Sequence, residues 1–210
     1  MTASLALGTA VAQSSGNFVA KVATAACEMD NGDGTLGGGI GQSTWETHIK
    51  VPNGSGTSLA IIPSFVTGLF TRTKLSTGDL TSAAHAGVEV CVDLDQGKVN
   101  GETDPYCVIY DKRFQQLSSN LFTTLLQDCD VVLPDIQPCN LELVLSTLSA
   151  HSYNFIGSEI PGGTRTVTVD VHFIDIDATA NGSAAACIGP GAVTVQQVKV
   201  FSTSDGIVIN

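Results

Sequence analysis

Hydrophobic and polar positions alternate most regularly in residues 164–177, TRTVTVDVHFIDID. Val167, Val169, Val171 and Phe173 take every second position, with Thr166, Thr168, Asp170 and His172 between them. A period of two with β-branched residues on the apolar side predicts a strand with one face buried and one wet. After Phe173 the apolar positions move by one, to Ile174 and Ile176. That shift predicts a β-bulge, or burial of both faces at that end. The stretch is long for a strand and is expected to run the length of a sheet.

The same alternation recurs elsewhere. Residues 45–51 place Trp45, Thr47, Ile49 and Val51 on one side and Glu46, His48 and Lys50 on the other. Residues 84–95 place Val88, Val90, Val92 and Leu94 inward, with Glu89, Cys91 and Asp93 outward. Residues 58–74 predict a strand pair or one long bent strand, in which Pro63 suits an edge or a bulge. Shorter strands are expected at 17–25, 108–110, 153–156 and 207–209. Residues 177–191 read as a small-residue loop, and 192–201 as a strand whose register slips at Gln196 and Gln197.

The period changes at Asp111. Phe114, Leu117, Leu121 and Leu125, widened by Phe122 and Leu126, recur at helical spacing behind Asp111 as N-cap. A second helix is expected at about 140–151, with Leu141, Val144, Leu145 and Leu148 on one face, opened by Asn140 or Pro138. The expected fold is therefore mainly β: an antiparallel β-sandwich of jelly-roll or immunoglobulin-like type, with roughly eight to ten strands. A helical hairpin is expected to be inserted in it at about 111–151.

Composition adds the setting. At 210 residues, with 22 Gly and only 14% charged residues, the chain suits one β-rich domain. The net charge of −11, from 20 acids against 9 bases, opposes nucleic acid and anionic membrane surfaces as partners. No apolar run reaches the roughly 20 residues of a membrane-spanning helix. Residues 3–12 are short, apolar and small, and end in Ala10-Val11-Ala12. Residues 1–12 are accordingly expected to be the remnant of a secretory signal peptide, leaving 13–210 as a single sandwich domain. A retained N-terminal strand with Leu5, Leu7 and Val11 alternating is the other reading.

Six cysteines fit an oxidising compartment, and their spacing favours Cys91–Cys107, Cys129–Cys139 and Cys27–Cys187. Zinc is disfavoured because no C-x-x-C pair occurs. The loop DNGDGTLGGGIG offers Asp30, Asn31 and Asp33 as oxygen ligands for calcium, but lacks the EF-hand spacing. A turn rich in left-handed conformations explains it as well.

Catalytic patterns are missing. No G-x-S-x-G elbow or phosphate-binding glycine loop is present. His48 and His172 fall on polar strand faces, and His85 and His151 on a loop and a helix end. Trp45 alternates with core positions, so it offers no sugar-stacking platform. The expected role is a secreted or cell-surface structural module without a catalytic site, self-associating into extracellular oligomers or filaments. A carbohydrate- or calcium-binding module is the alternative. Strand addition is the expected route to self-association, with Phe18, Ala20 and Val22 on one side of the donor segment 16–25. Pairing of that segment with its own sheet is the ordinary alternative.

Overall fold

The computed structural model describes residues 17–40, 43–53, 57–76, 81–118 and 140–199. These residues are mainly β and contain no helix. In chain order the strands are β1 (Phe18–Ala23), β2 (Ala26–Asp30), β3 (Leu36–Ile40), β4 (Thr44–Val51), β5 (Thr57–Leu75) and β6 (Thr81–Leu94). They continue as β7 (Lys98–Val99), β8 (Tyr106–Ser118), β9 (Leu141–Ser152), β10 (Phe155–Ser158), β11 (Gly163–Ala178) and β12 (Ser183–Lys199).

Every pairing is antiparallel, and the strands make two sheets. The larger runs β3-β2-β12-β5-β10-β7, with β1 also on β12 and β9 also on β5; the smaller runs β4-β11-β6-β8. Alternate residues of both sheets meet in one apolar core. Trp45, Ile49, Val88, Val90, Val167 and Val169 come from the smaller sheet, and Leu59, Ile61, Phe65, Phe155 and Val195 from the larger. The Trp45 and Phe65 rings lie 5.2 Å apart across it. Each such aliphatic or aromatic side chain contributes about 1.5–3 kcal/mol by leaving water.

β11 is an interior strand of the smaller sheet, between β4 and β6. The register against β6 shifts between Ile174 and Asp177, and Asp175 has φ of 52°. A β-bulge therefore accounts for the change of apolar phase. Gly87 stands opposite Ile174, and a Cβ there would come within 2.8 Å of the isoleucine side chain.

β5 is one continuous strand of 19 residues, alternating inward and outward from Leu59 to Leu75. Pro63 is at neither the edge nor the bulge expected from its missing N–H, but in regular register inside this interior strand. β9 and β10 pair with β5 in the same register, interrupted only at Tyr153 and Asn154. Pro63 falls in that gap, where no ladder bond is required of it. Pro190 repeats the device on β12: β1 and β2 share one register along it and are interrupted at Thr24 and Ala25, opposite the Gly189–Pro190 step.

Three further expectations are corrected. The helical hairpin is absent where the chain is described, because residues 106–118 and 141–152 are the strands β8 and β9. The cause is a second register shift, between Val88 and Glu89 of β6, where Tyr110 is the extra residue on β8. Tyr110 and Asp111 both face inward as a result, Phe114 turns out to solvent, and Leu117 returns to the interior. Residues 183–191, read as loop, belong to β12. Ala184, Ala186 and Ile188 are fully buried there, and small side chains suit the space between the sheets. The slip in β12 lies between Ile188 and Gly191, and pairing continues unbroken through Gln196 and Gln197. Residues 1–12 and 207–209, and the helix positions Leu121, Phe122, Leu125 and Leu126, lie outside the described residues.

Candidate assembly surface

The outer faces of the two sheets differ in chemistry. The smaller sheet turns Glu46, His48 and Lys50 of β4 outward, with Asp170 and His172 of β11 and Glu89 and Asp93 of β6. The larger sheet turns out several uncharged rows, with its charges, Arg72, Lys74, Glu142 and Lys98, in other rows of the same face. Phe18, Gln196, Ala60 and Ile156 form one row across it; Ala20, Thr194 and Ile62 form the next. Lower down, Cys27, Cys187, Gly68 and Leu148 line up, followed by Met29, Ala185, Phe70 and Ser146. Phe18 is 62% exposed, Val22 78% and Leu148 79%. Isolated apolar side chains at a surface are ordinary; a contiguous face of them is a mark of a buried partner surface.

β9 is the border of that face. Its neighbour among the described residues is β5, along the whole length from Ser64 to Leu75. Among the described residues the inner side of β9 is also partly open. Leu143 and Leu145 are exposed on the inner side, as Val144 and Leu148 are on the outer. A strand apolar on both faces is normally covered on both. The corner with β8 is stitched by side chains. Gln115 is buried, accepts from Thr71 Oγ1 at 2.7 Å, and donates to Thr73 Oγ1 at 2.6 Å and the Leu143 carbonyl at 2.8 Å. Arg113 reaches Thr147 Oγ1 at 2.6 Å. At the start of β9, Glu142 pairs with Arg72 Nε at 2.7 Å, which holds its carboxyl below the ordinary range, by hydrogen bond first and by charge second.

The strand-addition residues Phe18, Ala20 and Val22 lie on β1, which pairs with β12 of its own chain. Their side chains point outward into the apolar face. Cys27 is bonded to Cys187 and Cys91 to Cys107, each between directly opposed residues of adjacent strands. Cys129 and Cys139 lie outside the described residues. In the Asp30–Asp33 loop, Asp30 is buried and both its oxygens are engaged: Oδ1 accepts from Gly32 N–H at 2.8 Å and Oδ2 from Ala178 N–H at 2.9 Å. Asp33 accepts from the Thr35 N–H and hydroxyl, which lowers its pKa, and Asn31 is exposed. Gly32 and Gly34 have φ of 82° and 73°, the left-handed conformation of a tight turn.

His48 lies between Glu46, at 3.4 Å, and the Thr166 hydroxyl, at 3.2 Å, and His85 lies against Phe114 with centroids 4.5 Å apart and planes tilted by 46°. His151 Nε2 is 3.7 Å from Asp111 Oδ2, an oxygen that also accepts from Thr67 Oγ1 at 3.1 Å. The carboxylate thus stands between the hydroxyl and the imidazole, whereas an activated nucleophile needs the imidazole next to the hydroxyl. Thr67 is also fully buried. A cavity of about 290 Å³ lies nearby on the larger sheet, lined by Ser64, Val66, His151, Ser152 and Pro190 among others. The strand β9 is hidden in the sequence because Leu141, Val144, Leu145 and Leu148 copy a helical stripe. The signal available was its lack of the charged i, i+4 pairs that an exposed helix carries. No helix among the described residues is long and apolar enough to cross a membrane. No family model matches the chain, and no curated protein matches it in sequence.

Proposed function

We propose that this chain is a secreted or cell-surface structural module without catalytic activity, built as a β-sandwich of the jelly-roll or immunoglobulin-like kind, that self-associates into extracellular assemblies. The observation that carries the reading is the contrast between sheet faces. The outer face of the smaller sheet is charged and suits water, while that of the larger exposes Phe18, Val22 and Leu148 in uncharged rows. Burying the uncharged rows of that face against another copy removes apolar area from water, while the charges of the face, Arg72, Lys74, Glu142 and Lys98, lie outside those rows. The two disulfides are compatible with an oxidising, extracellular setting.

Light scattering on the purified native protein over a wide concentration range tests it. The expected mass exceeds the 21.7 kDa of one chain and grows with concentration. A single 21.7 kDa species at every concentration and ionic strength would end the assembly reading.

A further inference from the structure

We propose that the Cys91–Cys107 bond is a thiol-exchange site, entered at the Cys107 sulfur and made selective for positively charged thiols by Glu89 and the acids around it. The inference is independent of the assembly reading. Cys107 is exposed on β8, whereas Cys91, directly opposite on β6, is only 4% exposed. A thiolate attacks in line with the S–S bond, and the rate depends on which sulfur can be reached and which must leave. Asp170 stands directly opposite Cys91 on β11, so an in-line approach to the Cys91 sulfur passes over a carboxylate. The Cys107 sulfur is the open one. Glu89 Oε2 lies 3.9 Å from Cys91 Sγ, and the Glu89 carboxylate lies within 4.8 Å of both sulfurs. Asp93 shares this outer face two residues beyond Cys91, and His172 stands opposite Glu89. Lys112, further along β8, is held by Asp175 at 2.7 Å.

The reaction needs only a small thiol, RSH. Its thiolate bonds to Cys107 Sγ as the Sγ–Sγ bond breaks, and Cys91 Sγ leaves as a thiolate that takes a proton from water. A second thiolate attacks the mixed disulfide at the sulfur of R, giving RSSR and the Cys107 thiolate, which is protonated in turn. Two small thiols are oxidised and one protein disulfide is reduced. In the first step negative charge spreads over three sulfurs beside Glu89, which slows the exchange with any thiol. An anionic thiol adds a further like charge, whereas a positively charged one is drawn in. The other disulfide supplies the control. Cys27–Cys187 also joins directly opposed, half-buried residues, but Met29, Ala185 and Gly68 around it on the outer face carry no charge. The net −11 of the chain acts on both bonds, so a difference between them reports the local acids.

The test uses the full chain and three small thiols: cysteamine (positive), 2-mercaptoethanol (neutral) and 3-mercaptopropionate (negative). Rates are measured at one fixed pH and expressed per thiolate, and peptide mapping by mass spectrometry assigns the sulfur in each mixed disulfide. At this bond the first adduct is expected on Cys107, with Cys91 released. The ratio of cysteamine to mercaptopropionate rates is expected to be about tenfold or more higher at Cys91–Cys107 than at Cys27–Cys187 in low salt, and high salt should bring the two together. Glu89→Gln is expected to lower the ratio at Cys91–Cys107 about threefold or more and to speed the reaction with 2-mercaptoethanol. The salt series needs no variant, so it decides the matter if Glu89→Gln proves less stable. Equal ratios at the two bonds, or first adducts on Cys91, overturn the proposal. So does a folded Glu89→Gln protein with the wild-type ratio.

Discussion

The Tyr110 hydroxyl donates to the Pro63 carbonyl at 2.8 Å and accepts a backbone hydrogen bond from Tyr153. Pro63 and Tyr153 stand at the gap between β9 and β10, where the ladder to β5 is broken. A phenol from the opposite sheet thus satisfies backbone groups that a proline in an interior strand leaves unpaired. Burial pushes the Tyr110 pKa above its ordinary value, which favours the protonated hydroxyl as donor. Tyr110→Phe keeps the ring against Phe65 and removes only the hydroxyl. The expected cost is about 1–3 kcal/mol in denaturant unfolding. Stability equal to wild type would show that the gap is not held by this bond.

Asp30 ties the β2–β3 turn to the end of β11, past the bulge at Asp175. Asp30→Ala leaves the Gly32 and Ala178 N–H groups without their acceptor, at about 1–3 kcal/mol for each that stays dry. With both oxygens already engaged, excess chelator is expected to leave the melting temperature unchanged. A chelator-induced drop of several degrees would instead place calcium in this loop.

Strands that keep one inward and one outward face were legible from the residues alone. β4, β6 and β11 alternate without conflict, and even the bulge of β11 shows as the move from Phe173 to Ile174 and Ile176. β8 was not legible because its extra residue, Tyr110, changes the phase in mid-strand, and Phe114 and Leu117 then fall at helical spacing. β9 defeated the pattern for a different reason. A strand apolar on both faces has no period of two, and its pairing partner among the described residues lies 66 to 88 positions away in sequence. The border of the assembly face was hidden for the same reason, while Phe18, Ala20 and Val22 could be picked out because β1 does alternate.

Three exposed carboxyls have pKa values below their ordinary ones. The Thr35 hydroxyl and N–H lower Asp33, Arg72 lowers Glu142, and Lys112 lowers Asp175 through a bond of 2.7 Å. A depressed folded pKa contributes stability that is present above the unfolded value and lost as pH falls through the folded one. The ordinary values are 3.8 for Asp and 4.5 for Glu, so stability is expected to hold at neutral pH and to decline below about pH 4. Lys112→Met should return Asp175 toward its ordinary value and flatten that decline. An unchanged acid limb, followed by denaturant titration at several pH values, would remove this ion pair from the account.

The two disulfides sit in comparable surroundings, each across an antiparallel ladder, with Cα atoms 4.1 Å and 4.0 Å apart. They differ in what they close: Cys27–Cys187 spans 160 residues of sequence and Cys91–Cys107 spans 16. Since the ladders hold both pairs in place in the folded state, the difference falls on the unfolded chain, which the longer link restricts more. Chain entropy assigns about 5 kcal/mol to the first and about 3 kcal/mol to the second. Paired substitution to alanine tests this, alanine being chosen because Cys91 is buried and a serine hydroxyl there would want a partner. Cys27→Ala with Cys187→Ala is expected to cost about 2 kcal/mol more than Cys91→Ala with Cys107→Ala. Equal losses in urea unfolding would mean that the reduced chain keeps β2 and β12 together without the bond, and the entropic argument would fail for this fold.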